Sequence, residues 1–139
     1  MVGFSPLRRI HAKRRSRSLA RIAPTSLPVG GYALLATAYG RLVQPQLEAA
    51  RKAVRRRLRR QGRIQLSVFA RFPLTRKPLQ SRMGRGKGRS AGQFCWVRPG
   101  QPLLFLWGVS ASRARFSLAS AAAKLPLSVR AAPIRSLRA

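Results

Sequence analysis

The feature that most constrains this chain is its near absence of acids. Its 139 residues carry 30 Lys and Arg against one carboxylate side chain, Glu48, for a formal net charge of +29. A domain with that imbalance repels itself and stays compact most easily against a polyanion. Nucleic acid is the favoured counter-ion, because neutralising phosphates and releasing their bound cations supplies much of the binding free energy. An anionic membrane surface, or a histone-like or protamine-like packing role, competes on charge alone. Apolar residues make up 45% of the chain, enough for a modest core, and this excludes the protamine type. The cations are 25 Arg and 5 Lys. Arginine offers a planar fork for bidentate phosphate bonds and a flat face for stacking. GC-rich coding produces the same bias.

The scarcity that favours a polyanion also removes most chemistry. Cys95 and His11 are the only residues of their kinds. They cannot build a protein-only metal site, and no intrachain disulfide is possible. A Ser–His–acid triad would have to join His11 in a basic arm to Glu48 in a helix. The chain therefore reads as a non-enzyme with no cofactor, no metal and no small-molecule substrate. Cys95 lies in an apolar strand, where a small buried hydrophobe is the default. The longest strongly apolar run, Leu103 to Trp107, falls far short of the ~20 residues of a membrane span, so no membrane partner is expected.

Along the chain, residues 1–28 read as a basic arm, residues 29–133 as one globular domain and residues 134–139 as an irregular tail. The arm holds Arg8, Arg9, Lys13, Arg14, Arg15, Arg17 and Arg21 among few apolar anchors. Such blocks order on a partner, and an acid-free, Arg-rich and Ser-containing start also fits a mitochondrial targeting segment. Tyr32 to Tyr39 reads as a strand and Gly40-Arg41 as a turn. Residues 45–61 form the clearest helix. Leu47, Ala50, Val54 and Leu58 make one apolar stripe, Pro45 suits the first turn, Glu48 lies near the positive end, and Gly62 acts as the stop. The opposite face carries Arg51, Lys52, Arg55, Arg56, Arg57, Arg59 and Arg60. A solvated charged face normally alternates signs, and here no acids alternate.

Residues 63–70 alternate as a strand. Phe72-Pro73 and Lys77-Pro78 punctuate the chain, and a short strand over 79–83 follows. Residues 84–92 form a glycine-rich basic loop whose backbone phosphate can approach closely. Its spacing matches neither a P-loop nor a dinucleotide fingerprint. A mobile hairpin tip is the alternative. Phe94 to Val97 and Leu103 to Val109 read as a hairpin around Pro99–Pro102. Phe94, Trp96, Phe105 and Trp107 are assigned to the core in preference to base stacking. A second helix spans 112–125, with Phe116, Ala119, Ala123 and Leu118 inward, a cap at Ser110 or Ser112, and Pro126 barring continuation. Residues 127–132 complete the pattern as a strand. The mixture is α+β, two helices on a mostly antiparallel sheet.

Three stretches in register resemble one family. The first is Gly40-Arg41-Leu42, then Gln46-Leu47-Glu48-Ala49-Ala50-Arg51-Lys52-Ala53 and Arg60-Gln61-Gly62-Arg63-Ile64. The second is Lys77-Pro78-Leu79, then Arg82-Met83-Gly84-Arg85-Gly86-Lys87-Gly88. The third is Leu118-Ala119 with Ala121-Ala122-Ala123-Lys124-Leu125-Pro126. Together with the basic run around His11 they resemble the bacterial-type L16 family of large-subunit ribosomal proteins over nearly the whole chain. The resemblance implies a compact single domain of α/β-hammerhead type. It also implies binding to large-subunit ribosomal RNA near the peptidyl transferase centre, neighbouring ribosomal proteins, and a glycine-rich loop that faces A-site tRNA.

Carried over here, the tRNA-facing loop is Arg82, Met83, Gly84, Arg85, Gly86, Lys87 and Gly88. Arg82 matches a position hydroxylated in some members. The cations assigned to ribosomal RNA are Arg8, Arg9, Lys13, Arg14, Arg15 and Arg17 of the arm, with His11, and Arg41, Arg51, Lys52, Arg55, Arg56, Arg59, Arg60 and Arg63 of the domain. Where the family has acids, this chain has Arg76, Gly92-Gln93 and Ser112-Arg113. That divergence and the acid-free arm point to a mitochondrial ribosome in preference to a plastid or bacterial one. The alternative is a free basic RNA-binding or RNA-annealing protein outside the ribosome.

Overall fold

The computed structural model describes residues 30–81, 84 and 86–134. The arm, three residues of the glycine loop (Arg82, Met83 and Arg85) and residues 135–139 lie outside the described residues. In chain order the elements are β1 (Tyr32–Ala36), β2 (Gly40–Val43), α1 (Gln44–Leu58), β3 (Arg63–Leu66), β4 (Phe72–Arg76), β5 (Arg89–Val97), β6 (Pro102–Trp107), α2 (Ala111–Ala122) and β7 (Val129–Pro133). The α+β class expected from the sequence holds, with one refinement. The described strands form two antiparallel sheets, a four-stranded one ordered β3-β6-β1-β7 and a three-stranded one ordered β2-β5-β4.

The four-stranded sheet is the frame. Its central strands, β1 and β6, are buried on both faces and accordingly read as near-continuous apolar runs, Tyr-Ala-Leu-Leu-Ala and Pro-Leu-Leu-Phe-Leu-Trp. Both helices lie on one face. Ala50, Val54 and Leu58 of α1 and Ala114, Leu118 and Ala121 of α2 meet Leu34, Leu104 and Leu106 of the sheet. The predicted α1 stripe is buried at all four positions. Ala33, Leu35, Phe105, Ala132 and Ile134 form a second cluster on the opposite face, so Ile134 packs with the domain. A third cluster, including Leu42, Leu47, Cys95, Val97 and Leu103, joins the two sheets.

Several local expectations are corrected. Gly40-Arg41 is not a turn but the start of β2, paired Gly40 to Val97 and Arg41 to Trp96. The expected β5–β6 hairpin does not form. The two strands belong to different sheets, and the turn between them is held by β1, with Gly100 N–H donating to Ala36 O at 2.8 Å and Ala36 N–H to Gln101 O at 3.0 Å. Pro73 lies within β4, where an edge strand tolerates the missing donor. The loop expected over 84–92 is shorter, because Arg89–Gly92 extend β5. No strand covers the described residues Leu79, Gln80 and Ser81.

Helix α2 buries Ala114, Ser117, Leu118 and Ala121, whereas Phe116 is 60% exposed and Ala119 and Ala123 face out. Small residues there let α2 lie close against α1. Phe116 instead takes the Arg57 guanidinium over its ring, 4.8 Å from the centroid. Ser110 occupies the cap position, but its hydroxyl makes no cap hydrogen bond.

Candidate nucleic-acid interface

Helix α1 begins at Gln44 with Pro45 in its first turn, and the Val43 N–H donates to Gln46 Oε1 at 2.9 Å, so one otherwise unpaired terminal donor is satisfied. Glu48 lies beyond the first turn and pairs with Arg51 at 3.0 Å. This is the sole ion pair among the described residues. Like charges at i,i+4 along the outer face oppose the helix. The apolar stripe offsets that repulsion, and Arg55, Arg56 and Arg57 in the last turn favour the negative end of the helix dipole.

The helix ends at Leu58, three residues earlier than the sequence indicates, and Gly62 is not its stop. Arg59 and Arg60 both adopt left-handed backbone, at φ 47° and 71°. Two consecutive non-glycine residues there cost about 1–2 kcal/mol each. Gly62 is required one step later. Its φ is +73°, and a Cβ would stand 2.8 Å from the Trp107 carbonyl oxygen. Beside the left-handed turn lies an open groove of about 450 Å³ lined by Arg51, Arg55, Arg60, Arg63, Gln65 and Trp107. Lys52, Arg55, Arg56, Arg59 and Arg60 line a second depression on the solvent side of the helix. None of these last five side chains hydrogen-bonds or ion-pairs with another described residue. Arg41 stands apart on β2, with its guanidinium 5.4 Å from the centre of the Phe94 ring.

The loop occupies a separate position, beyond β4 and β5. Gly84 and Gly86 have positive φ and no neighbour within 4 Å of where a Cβ would be, so their backbone stands open. Gly88 anchors the loop's base, since a Cβ there would meet the Arg76 carbonyl oxygen at 2.6 Å. Lys87 is exposed. One residue absent from the sequence-level site belongs here. Lys77 Nζ donates to Gly84 O at 2.7 Å and ties the strand β4 exit to the loop. The only signal for it in the sequence is the Lys77-Pro78 pair beside the glycine run.

No cluster of three His, Cys, Asp or Glu exists among the described residues. Cys95 is buried, its thiol donates to Leu42 O at 3.6 Å, and burial pushes its pKa up to about 11. No helix of the described residues is long and apolar enough to cross a membrane.

A sequence model of the family described as Ribosomal protein L16p/L10e matches residues 6–132. The match takes in the α1 cation face, the glycine loop, α2 and most of the arm. Proteins of this kind are structural components of the ribosome rather than catalysts. The chain belongs to the L16p/L10e family and is a structural constituent of the large ribosomal subunit, acting in translation with ribosomal RNA and ribosomal proteins as its partners.

Proposed function

We propose that this chain clamps large-subunit ribosomal RNA near the peptidyl transferase centre and holds its glycine-rich loop toward A-site tRNA, in a mitochondrial ribosome. The observation that carries the reading is the outer face of α1. Lys52, Arg55, Arg56, Arg59 and Arg60 converge there with no described acid opposing them, an arrangement that favours a polyanion as partner. Arg51 and Arg63 extend the face across the groove, and Arg41 adds a contact on β2. The arm cations Arg8, Arg9, Lys13, Arg14, Arg15 and Arg17, with His11, contribute further phosphate contacts. The open backbone of Gly84 and Gly86, tethered by Lys77, supports a loop that meets a second phosphate chain. The acid-free, arginine-rich arm supports the mitochondrial assignment.

The test uses large subunits assembled with variant chains. Arg51, Arg55 and Arg59 changed together to Ala should deplete the chain from salt-washed subunits. Arg82, Arg85 and Lys87 changed to Ala should leave incorporation intact and slow tRNA accommodation. Equal assembly defects in both would reduce the loop to another RNA anchor. Recovery of the wild-type chain from organelles other than mitochondria would refute the location.

A further inference from the structure

The three-stranded sheet turns its inner face to the core and leaves its outer face uncovered by any described element. Strand alternation in β5 sends Cys95 and Val97 inward, 3% and 0% exposed, and Phe94 and Trp96 outward. Phe72 of β4 lies directly opposite Phe94, and Arg41 of β2 opposite Trp96. Tyr39, just before β2, completes the row. Its ring stacks on Trp96 with centroids 5.7 Å apart and planes 13° from parallel. Trp96 meets Phe94 edge-on at 5.6 Å, and Phe94 meets Phe72 at 5.7 Å. The sequence alone favours the core for Phe94 and Trp96, yet Trp96 is 37% exposed and Tyr39 60%.

Cross-strand aromatic pairing accounts for Phe72 and Phe94, which stabilise their own ladder. It does not account for a parallel Tyr39–Trp96 stack outside the ladder that ends in an open ring face. A contiguous exposed aromatic patch marks a contact surface. Its chemistry selects the partner. Arg41 lies over the row, Arg71 precedes it and Arg98 follows it, and no described acid lies on these strands. Flat rings interleaved with guanidinium groups form the surface that unpaired nucleotides recognise, with bases stacking on rings and phosphates pairing with arginine.

We propose that the outer face of the β2-β5-β4 sheet is a base-stacking platform for an unpaired stretch of RNA, with Tyr39 and Trp96 as the stacking residues and Arg41 as the phosphate contact. It rests on the reading of the chain as RNA-bound, and it adds a mode of contact distinct from the phosphate-directed face of α1.

The experiment titrates the full chain with a single-stranded oligouridylate, and with an abasic oligomer of the same charge, while following tryptophan emission and anisotropy of the labelled oligomer. The platform predicts that oligouridylate quenches emission, that the abasic oligomer binds without that quench, and that Trp96→Phe keeps binding but loses the quench. Tyr39→Ala with Trp96→Ala should weaken oligouridylate binding roughly tenfold or more and leave abasic binding unchanged. Circular dichroism of each variant separates lost stacking from lost folding. If oligouridylate binds and the quench in Trp96→Phe equals that of the wild type, the platform is refuted and RNA binding stands. The face then belongs to a protein neighbour. If neither oligomer binds, the platform and the RNA-bound reading fail together.

Discussion

The outer face of α1 and the outer face of the three-stranded sheet both look outward from the same core, yet they are built from opposite materials. The helix presents Lys52, Arg55 and Arg56, its terminal turn adds Arg59 and Arg60, and it has no aromatic ring of its own. The sheet presents Tyr39, Trp96, Phe94 and Phe72 with Arg41 over them. The first kind of surface attracts any phosphate chain and weakens as salt screens it. The second adds base stacking, which needs bases that are free of a duplex. If both faces act as proposed, one small domain would hold a folded RNA by its backbone and by an unpaired segment, and each contact would refuse a partner that satisfies only the other.

The largest effect expected from breaking this comparison lies on the helix. Changing Arg51, Arg55 and Arg59 together to Ala should lower RNA affinity by about a hundredfold or more at moderate salt, since each phosphate contact adds roughly one unit to the salt slope. Filter binding across a salt series reads this directly. A smaller effect concerns the fold beneath both faces. Leu118→Ala removes a fully buried side chain from the helix–sheet core and should cost about 2–5 kcal/mol in chemical denaturation.

The left-handed turn offers a finer separation of charge from fold. Arg60→Gly should raise stability by up to about 1 kcal/mol, by relieving a φ of 71°, while it removes one cation from the groove. Stability and RNA affinity should therefore move in opposite directions. Lys77→Ala should cost about 0.5–1.5 kcal/mol locally by releasing the Gly84 carbonyl, read as faster amide exchange in the loop with global stability unchanged.

The smallest effect is at Cys95. Its folded pKa of about 11 exceeds the ordinary value of 9.0. Stability from the neutral thiol is therefore complete below pH 9 and is lost as pH rises toward 11. Below that window a thiol reagent should label Cys95 only after denaturation.

Local pattern carried much of the fold and less of its pairing. The α1 stripe and the apolar β1 and β6 were legible, because each depends on the spacing or type of nearby residues, whereas α2 ends at Ala122, three residues short of the end expected from Pro126. The separation of β5 from β6 was not legible, because their turn closes on itself like a hairpin while its contacts with β1 across the fold carry the two strands into different sheets. The inward face of α2 was misread for a related reason. Phe116 is the largest apolar residue of the helix, but close approach to α1 favours Ala114, Ser117 and Ala121. The cationic face was legible from composition, whereas the aromatic face depends on which side of β5 meets the core. Lys77 is marked only by its place before Pro78 and the glycine run, since it is a tether across a loop, and the left-handed Arg59-Arg60 pair is a strained turn between Leu58 and Gly62 that no residue type announces.

The central claim is that the α1 cations hold RNA by its phosphates. The most direct test is the slope of log affinity against log salt for one structured ribosomal RNA fragment, compared between the wild-type chain and the Arg51, Arg55 and Arg59 to Ala variant. Phosphate anchoring by the helix predicts a slope shallower by about three in the variant, and a line parallel to wild type for the Tyr39 and Trp96 to Ala variant. A helix variant whose line is parallel to wild type would contradict it.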